Sequence, residues 1–208
     1  MQFNLPTTPW TMLENSRLWK TAKFFYDQND LDYHNFEHVR RIYRWAEELE
    51  VPYSHELDEA ILFHDAIWDG AGQHERRSHL LYDAVVLRHD DDGMVGQFID
   101  ATIDHCPSHP GSMMAMLDLA DFLDDEQTVR NSADLACEAR TIAHRQGKDF
   151  DAAEARAKNI AYLEGLAERI LNDFDLNHPY AHVWAQIEHG VRSAAERLKA
   201  PSHLNAPI

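Results

Sequence analysis

The sequence predicts an all-α fold, a single helical bundle across residues 1–208. Three observations carry this. Apolar residues recur at helical spacing in nearly every segment. No run rich in Val, Ile and Thr alternates as a half-buried strand would. No linker is long enough to mark a second domain, and no repeat or low-complexity tract interrupts the pattern.

Taken in order, TTPWTMLENSRLWKTAKFFYDQ (7–28) opens with a Thr8 cap and Pro9 in the first turn, and presents Trp10, Leu13, Leu18, Phe24 and Phe25 as an apolar side. NFEHVRRIYRWAEELE (35–50) carries Val39, Ile42, Tyr43 and Ala46 at helical spacing, and Pro52 breaks it. Ser54 caps a third helix, in which Leu57, Ala60, Ile61 and Phe63 lead into His64 and Asp65, and Gly70 and Gly72 end it. HERRSHLLYDAVVLRH (74–89) precedes an Asp-rich turn, and MVGQFIDATIDHC (94–106) follows. PSHPGS (107–112) reads as a loop. Further helices are expected at about 113–124, 126–146, 151–173 and 180–199, ahead of a frayed tail, APSHLNAPI.

Charge and composition narrow the function classes. The net charge of −17 repels nucleic-acid backbones and anionic membranes, so neither partner is expected. A small anionic substrate stays compatible, because a bound cation reverses the potential locally. Cys106 and Cys137 have no paired spacing, and MQFNLPTTPW lacks a basic start leading into an apolar run. A cytoplasmic setting with free thiols is the expectation. No GxxxxGK phosphate loop is present, which argues against an ATP-driven enzyme. A homodimer is left open.

Fourteen histidines draw attention to three places. HNFEH (34–38) puts two imidazoles on one helix face. With Glu37 it fits the His-x-x-Glu-His pattern of inverted zinc peptidases, and it fits equally two half-exposed histidines at a helix start. ILFHDAIWDG (61–70) places His64 and Asp65 at the end of an apolar helix. A buried carboxylate needs a partner, which is a hydrogen bond, a basic side chain or a metal. The other His-Asp pair, His89 and Asp90, runs into a charged turn and reads as solvated. DLADFLDD (118–125) crowds four aspartates into one short helix. A solvated acidic face explains Asp124 and Asp125 well and Asp121, between Ala120 and Phe122, less well.

Together, YHNFEHV (33–39), ILFHDAIWD (61–69), HERRS (74–78), ATIDH (101–105) and DLADFLDD resemble, in this order, the motifs of the HD-domain metal-dependent phosphohydrolases. The nearest likeness is to the bacterial branch with Tyr-His-Asn-x-x-His, Phe-His-Asp-Ala-x-Tyr-Asp and Asn-Glu-x-x-Ser. The likeness covers about residues 30–125. The C-terminal helices, 126–200, resemble the family only loosely. Trp68 stands for the usual tyrosine, His74 for the asparagine before Glu75, and the helix at 126–146 lacks an Arg-Glu-Tyr element.

The resemblance implies His38, His64, Asp65 and Asp121 as ligands of a divalent transition metal. Mn²⁺, Fe²⁺, Co²⁺ and Ni²⁺ suit this mixed N/O set, Zn²⁺ is allowed, and a second ion is open. It implies hydrolysis of a small phosphorylated substrate, a nucleotide by family analogy, by water that the ion activates. Glu75 is the first choice for general base and Asp69 the second. The glutamate that serves some HD nucleotidases three residues past the aspartate is Trp68 here. Arg76 is the expected phosphate contact, Arg77 is expected to face solvent, and His34 and His105 contact the phosphate, hold a second ion or serve structure. A zinc peptidase built on HNFEH and a non-catalytic metal-binding helical module are the alternatives.

Overall fold

A computed structural model describes residues 10, 14–86, 93–174 and 176–200. Among these residues all regular structure is helical. The elements are α1 (Arg17–Asn29), α2 (Phe36–Glu48), α3 (His55–Phe63), α4 (His74–Val85), α5 (Met94–Asp100), α6 (Ser112–Asp118), a 3-10 turn (Ala120–Leu123), α7 (Asp125–Arg145), α8 (Ala152–Asn172) and α9 (Ala181–Lys199). No described helix is long and apolar enough to cross a membrane. The expected Thr8–Pro9 start, the His89–Asp90 turn and the tail after Ala200 lie outside the described residues.

Side-chain caps set most of the starts. Ser16, Asn35 and Ser54 accept hydrogen bonds from backbone N–H groups of α1, α2 and α3, and Asp124 and Asp151 do so for α7 and α8. Three boundaries differ from expectation. α3 stops at Phe63, and the chain turns at once, with Ala66 N–H donating to the Phe63 carbonyl. Gly70 and Gly72, both at positive φ, shape the later turn into α4 instead of ending α3. α5 stops at Asp100, and His105 beyond it adopts φ 53°, a left-handed conformation uncommon for a side-chain-bearing residue.

The third difference matters most for the site. The helix expected at 113–124 breaks at Leu119 into α6 and the 3-10 turn. α9 lies against that turn, and Gly190 makes the approach feasible: a Cβ there would overlap the Phe122 carbonyl oxygen.

Fully buried side chains form one continuous core, from Ala22 and Ile42 through Phe63, Ile99 and Leu117 to Trp184. α8 and α9 make the most extensive helix pair. α7 is the exception among the long helices. Its buried residues are Thr128, Asn131 and Glu138, all polar, and it adds no apolar side chain to the core cluster.

Gly190→Ala is expected to destabilise the fold by roughly 1–3 kcal/mol, the usual cost of overpacking. Thermal unfolding checks this as a lower midpoint than wild type. An unchanged midpoint would mean that α9 does not rest on the 3-10 turn this closely.

Candidate metal centre

Three helix ends converge on one point. Asn35 caps α2 by accepting from the N–H groups of Glu37 and His38, and it anchors the preceding turn by donating to the Leu31 and Asp32 carbonyls. That locks His34 just outside the helix and His38 in its first turn. The end of α3 delivers His64 and Asp65. The end of α6 delivers Asp118. One ligating atom from each of His38, His64, Asp65 and Asp118 lies within 4.8 Å of every other, so the group could hold a metal ion.

The electrostatics agree with a cation at this point. His64 is fully buried, and its Nδ1 lies 3.1 Å from the Ile61 carbonyl, to which it donates. This tautomer leaves the Nε2 lone pair facing the cluster, the arrangement common for a ligating imidazole. Around Nε2 stand Asp65 Oδ2 at 3.2 Å, His38 Nε2 at 3.3 Å and Asp118 Oδ1 at 3.5 Å. So many electron-rich atoms in a largely buried site need a positive centre. Without a metal, a proton takes that part. Burial alone would lower the His64 pKa, but the Asp65 and Asp118 carboxylates outweigh it and raise the pKa well above the usual value. Burial works against ionisation of Asp118, yet hydrogen bonds from His105, His38 and His64 hold its carboxyl well below the ordinary range. Asp65 is lowered too, with burial again opposed by His64. Two carboxylates and two imidazoles, with Asp65 and both histidines buried, fit a divalent ion of the first transition row.

Supporting contacts fix each candidate ligand. Tyr26 Oη accepts from Asp65 N–H at 3.3 Å. His105 Nε2 meets Asp118 Oδ2 at 2.8 Å, so the left-handed backbone at His105 serves to aim an imidazole at a carboxylate of the cluster. Glu138, on α7, holds the residues before α2. Its Oε2 accepts from the N–H groups of Tyr33 and His34, and its Oε1 meets His34 Nδ1 at 2.5 Å. His34 Nε2 is thereby directed to within 3.9 Å of Asp65 Oδ2.

The geometry replaces one expected ligand. Asp121 does not join the cluster. Its carboxylate accepts from Arg41 Nε, Trp45 Nε1 and Asn131 Nδ2, each at 2.8 Å, and these donors engage both its oxygens. The break at Leu119 is the cause: Asp118 ends α6 facing His38, while Asp121, in the 3-10 turn, faces α2 and α7. A signal for Asp118 was present, since Leu117 and Leu119 flank it much as Ala120 and Phe122 flank Asp121. Glu138, Arg41 and Trp45 carried no comparable mark, because only tertiary packing brings them here.

The other candidates divide. Glu75 is half-buried and lines the cavity in front of the cluster, and burial, aided by the Asp65 and Asp118 charges, raises its pKa. His34 and His105 line the same cavity. Asp69 does not. It is exposed, and both its oxygens accept from Arg77 at 2.7 Å, which holds its carboxyl far below the usual range. A carboxylate so held is a poor base, and Arg77, expected to face solvent freely, is committed to it. Arg76 is exposed and does not line the cavity. Trp68 stacks on His34 at 3.5 Å between ring centroids and on His74 at 4.1 Å, so two of the three departures from the resembled motif, Trp68 and His74, meet in one contact.

No family model, no curated protein and no solved structure matches this chain.

The chain purified without a histidine tag and loaded with Mn²⁺ or Fe²⁺ is expected to retain about one ion, since the preformed ligand set binds without folding cost and the ion displaces the proton on His64. Asp118→Ala should lose it. Asp121→Asn should keep the ion and unfold at a lower temperature. Elemental analysis decides, and loss of metal in Asp121→Asn with retention in Asp118→Ala would reverse the assignment.

Proposed function

We propose that this chain is a divalent-metal-dependent phosphohydrolase acting on a small phosphorylated molecule. The observation that carries the reading is the buried His38–His64–Asp65–Asp118 group at the edge of a cavity of about 670 Å³. That size lies within the ~300–1,000 Å³ typical of small-molecule sites. The ordered motifs that resemble HD-domain phosphohydrolases support the same class, and a nucleotide body rests on that resemblance alone.

A divalent ion held by the four residues would supply a Lewis acid and make a bound water more acidic. The chain's own residues supply the rest. Glu75 faces the cavity with a raised pKa, so it can take a proton from water near neutral pH. Attack of the water oxygen on phosphorus forms the new P–O bond, and the ester oxygen leaves with the bonding pair and picks up a proton. Tyr162 lines the cavity while remaining 47% exposed, and its phenol hydroxyl can donate to a phosphoryl or leaving oxygen. His34, held by Glu138, presents Nε2 on the same side. His105 keeps Asp118 ionised and oriented.

The peptidase alternative loses its base. Glu37 is exposed and paired with Arg40, away from the cluster that holds His38.

The test is a phosphoester screen of the metal-loaded protein. Turnover of a phosphomonoester or diester is expected, and it should vanish when the metal is chelated. Glu75→Gln should retain the metal and lower kcat by roughly 10²- to 10⁴-fold. In wild type, activity should fall as pH drops through the Glu75 pKa, because only the ionised form accepts a proton. Burial places this limb above the pH expected of an exposed glutamate, and it should disappear in Glu75→Gln. A metal-loaded wild type that turns over no phosphoester would overturn the hydrolase reading.

A further inference from the structure

The wall that α7 gives the cavity has an unusual make-up. α7 is 21 residues long and buries no apolar side chain in the core. Polar contacts hold it to the body: Asn131 to Asp121, Glu138 to His34, Arg145 to the Asn29 and Asp30 carbonyls, and Gln146 to the Gly70 carbonyl. Its apolar face, Leu135, Ala136 and Ala139, lines the cavity instead. Across from it, α8 contributes a face from Ala152 to Leu163, roughly 16 Å of helix at a rise of ~1.5 Å per residue. Ala194 and Leu198 of α9 close the side. Tyr162 near one end of the α8 face feels the charges of Asp118, Glu75 and Asp65. The slot and the metal centre share one cavity, whose lining includes Asp65, Glu75 and Asp118 at the centre and Ala152 to Leu163 on α8.

The threonine and serine hydroxyls that line this slot are bonded to backbone carbonyls, and the polar side chains of Arg140 and Asn159 line it as well. Thr128 Oγ1 donates to the Asp121 and Asp124 carbonyls, Ser132 Oγ to the Thr128 carbonyl, and Thr102 Oγ1 to the Ile99 carbonyl. Arg156 donates to the carbonyls of Leu198 and Ala200 at the end of α9. A nucleobase site needs a free aromatic face and partners for the base edge. Trp68, the aromatic residue nearest the sequence motif, has His34 on one side and His74 on the other. Tyr33 has Arg41 over its ring and His38 at 5.0 Å, Phe150 has Arg140 over its ring, and Phe122 and Tyr162 complete the aromatic lining.

We propose that the slot between α7 and α8 binds the hydrocarbon body of the substrate, so that the molecule presented to the metal centre is a phosphate ester of an apolar alcohol. This rests on the phosphohydrolase reading for the fate of the phosphate but not for the binding of the body. The apolar face that α7 leaves unburied is covered by the ligand, and each methylene placed there leaves water. Ala136, Ala139, Ala152 and Ala155 leave room for a chain where larger side chains would fill the slot.

Two series on the Mn²⁺-loaded full chain test this. Affinity for n-alkylphosphonates, whose P–C bond does not hydrolyse, is measured by calorimetry from ethyl to octyl. Turnover is measured for the matching n-alkyl phosphates and for nucleoside monophosphates. Affinity and kcat/KM are expected to rise roughly threefold per added methylene until the slot fills, with octyl phosphate preferred over every nucleotide. Ala155→Phe, which narrows the slot, and Leu135→Asn, which makes it polar, should each cut the octyl-to-ethyl ratio at least tenfold while the thermal midpoint shows a folded protein. Affinity flat with chain length, no binding at all, or better turnover of nucleotides would overturn the slot proposal. Chain-length-dependent phosphonate binding without turnover of any ester would instead sustain the slot and overturn the hydrolase reading.

Discussion

Two carboxylates brought into a largely buried space with two imidazoles are the constraint on which this structure turns. Asp65 and Asp118 cannot both be ionised there without positive charge between them. The protein prepares for that charge rather than avoiding it. His64 turns its proton-bearing nitrogen to the Ile61 carbonyl, and His105 and Tyr26 reinforce the two acids. Replacing one member would leave the others as unpaired buried groups, so the four positions act as a unit.

Local structure exists to place that unit. The Asn35 cap fixes the start of α2, the stop of α3 puts His64 at its C-cap with Asp65 in the turn that follows, and the break after α6 separates Asp118 from Asp121. Asp121 then serves a different end. By gathering Arg41, Trp45 and Asn131 it ties α2 to α7 around the 3-10 turn. Two aspartates three residues apart thus do separate work, one facing the ion site and one holding the frame around it.

This division explains what was legible in the sequence. Helical periodicity and the Ser54 cap are local, and they predicted the elements well, whereas the Asn35 cap was not read from the sequence. The ordering of HNFEH, His64–Asp65 and the aspartate-rich helix pointed to a shared site, and the fold does bring His38, His64 and Asp65 together. The choice between Asp118 and Asp121 was not local. It turned on where the helix breaks, at a turn that α9 contacts through Gly190 far along the chain. Glu138 and Arg41 were silent for the same reason: a charged residue on an amphipathic helix looks alike whether it meets solvent or a histidine 104 positions away. Arg76 and Asp69 misled in the opposite sense. Their proximity to the motif in sequence says nothing of orientation, and Arg77 captures Asp69 at the surface.

α7 shows how far a helix can depart from the rule that apolar burial holds it in place. Its termini are well made, with Asp124 capping the first turn, Asp125 and Glu126 at the positive end of the dipole, and His144 and Arg145 at the negative end. Its anchors are directional hydrogen bonds, several of them buried and charged, and such bonds fix position without consuming an apolar face. Two of the anchors, Asn131 on Asp121 and Glu138 on His34, also support the ion site. The wall of the cavity and the frame of the metal centre are therefore the same set of bonds. A molecule that settles against Leu135 and Ala139 presses on the helix that orients His34, and a shift of that helix would be felt one contact away from Asp65.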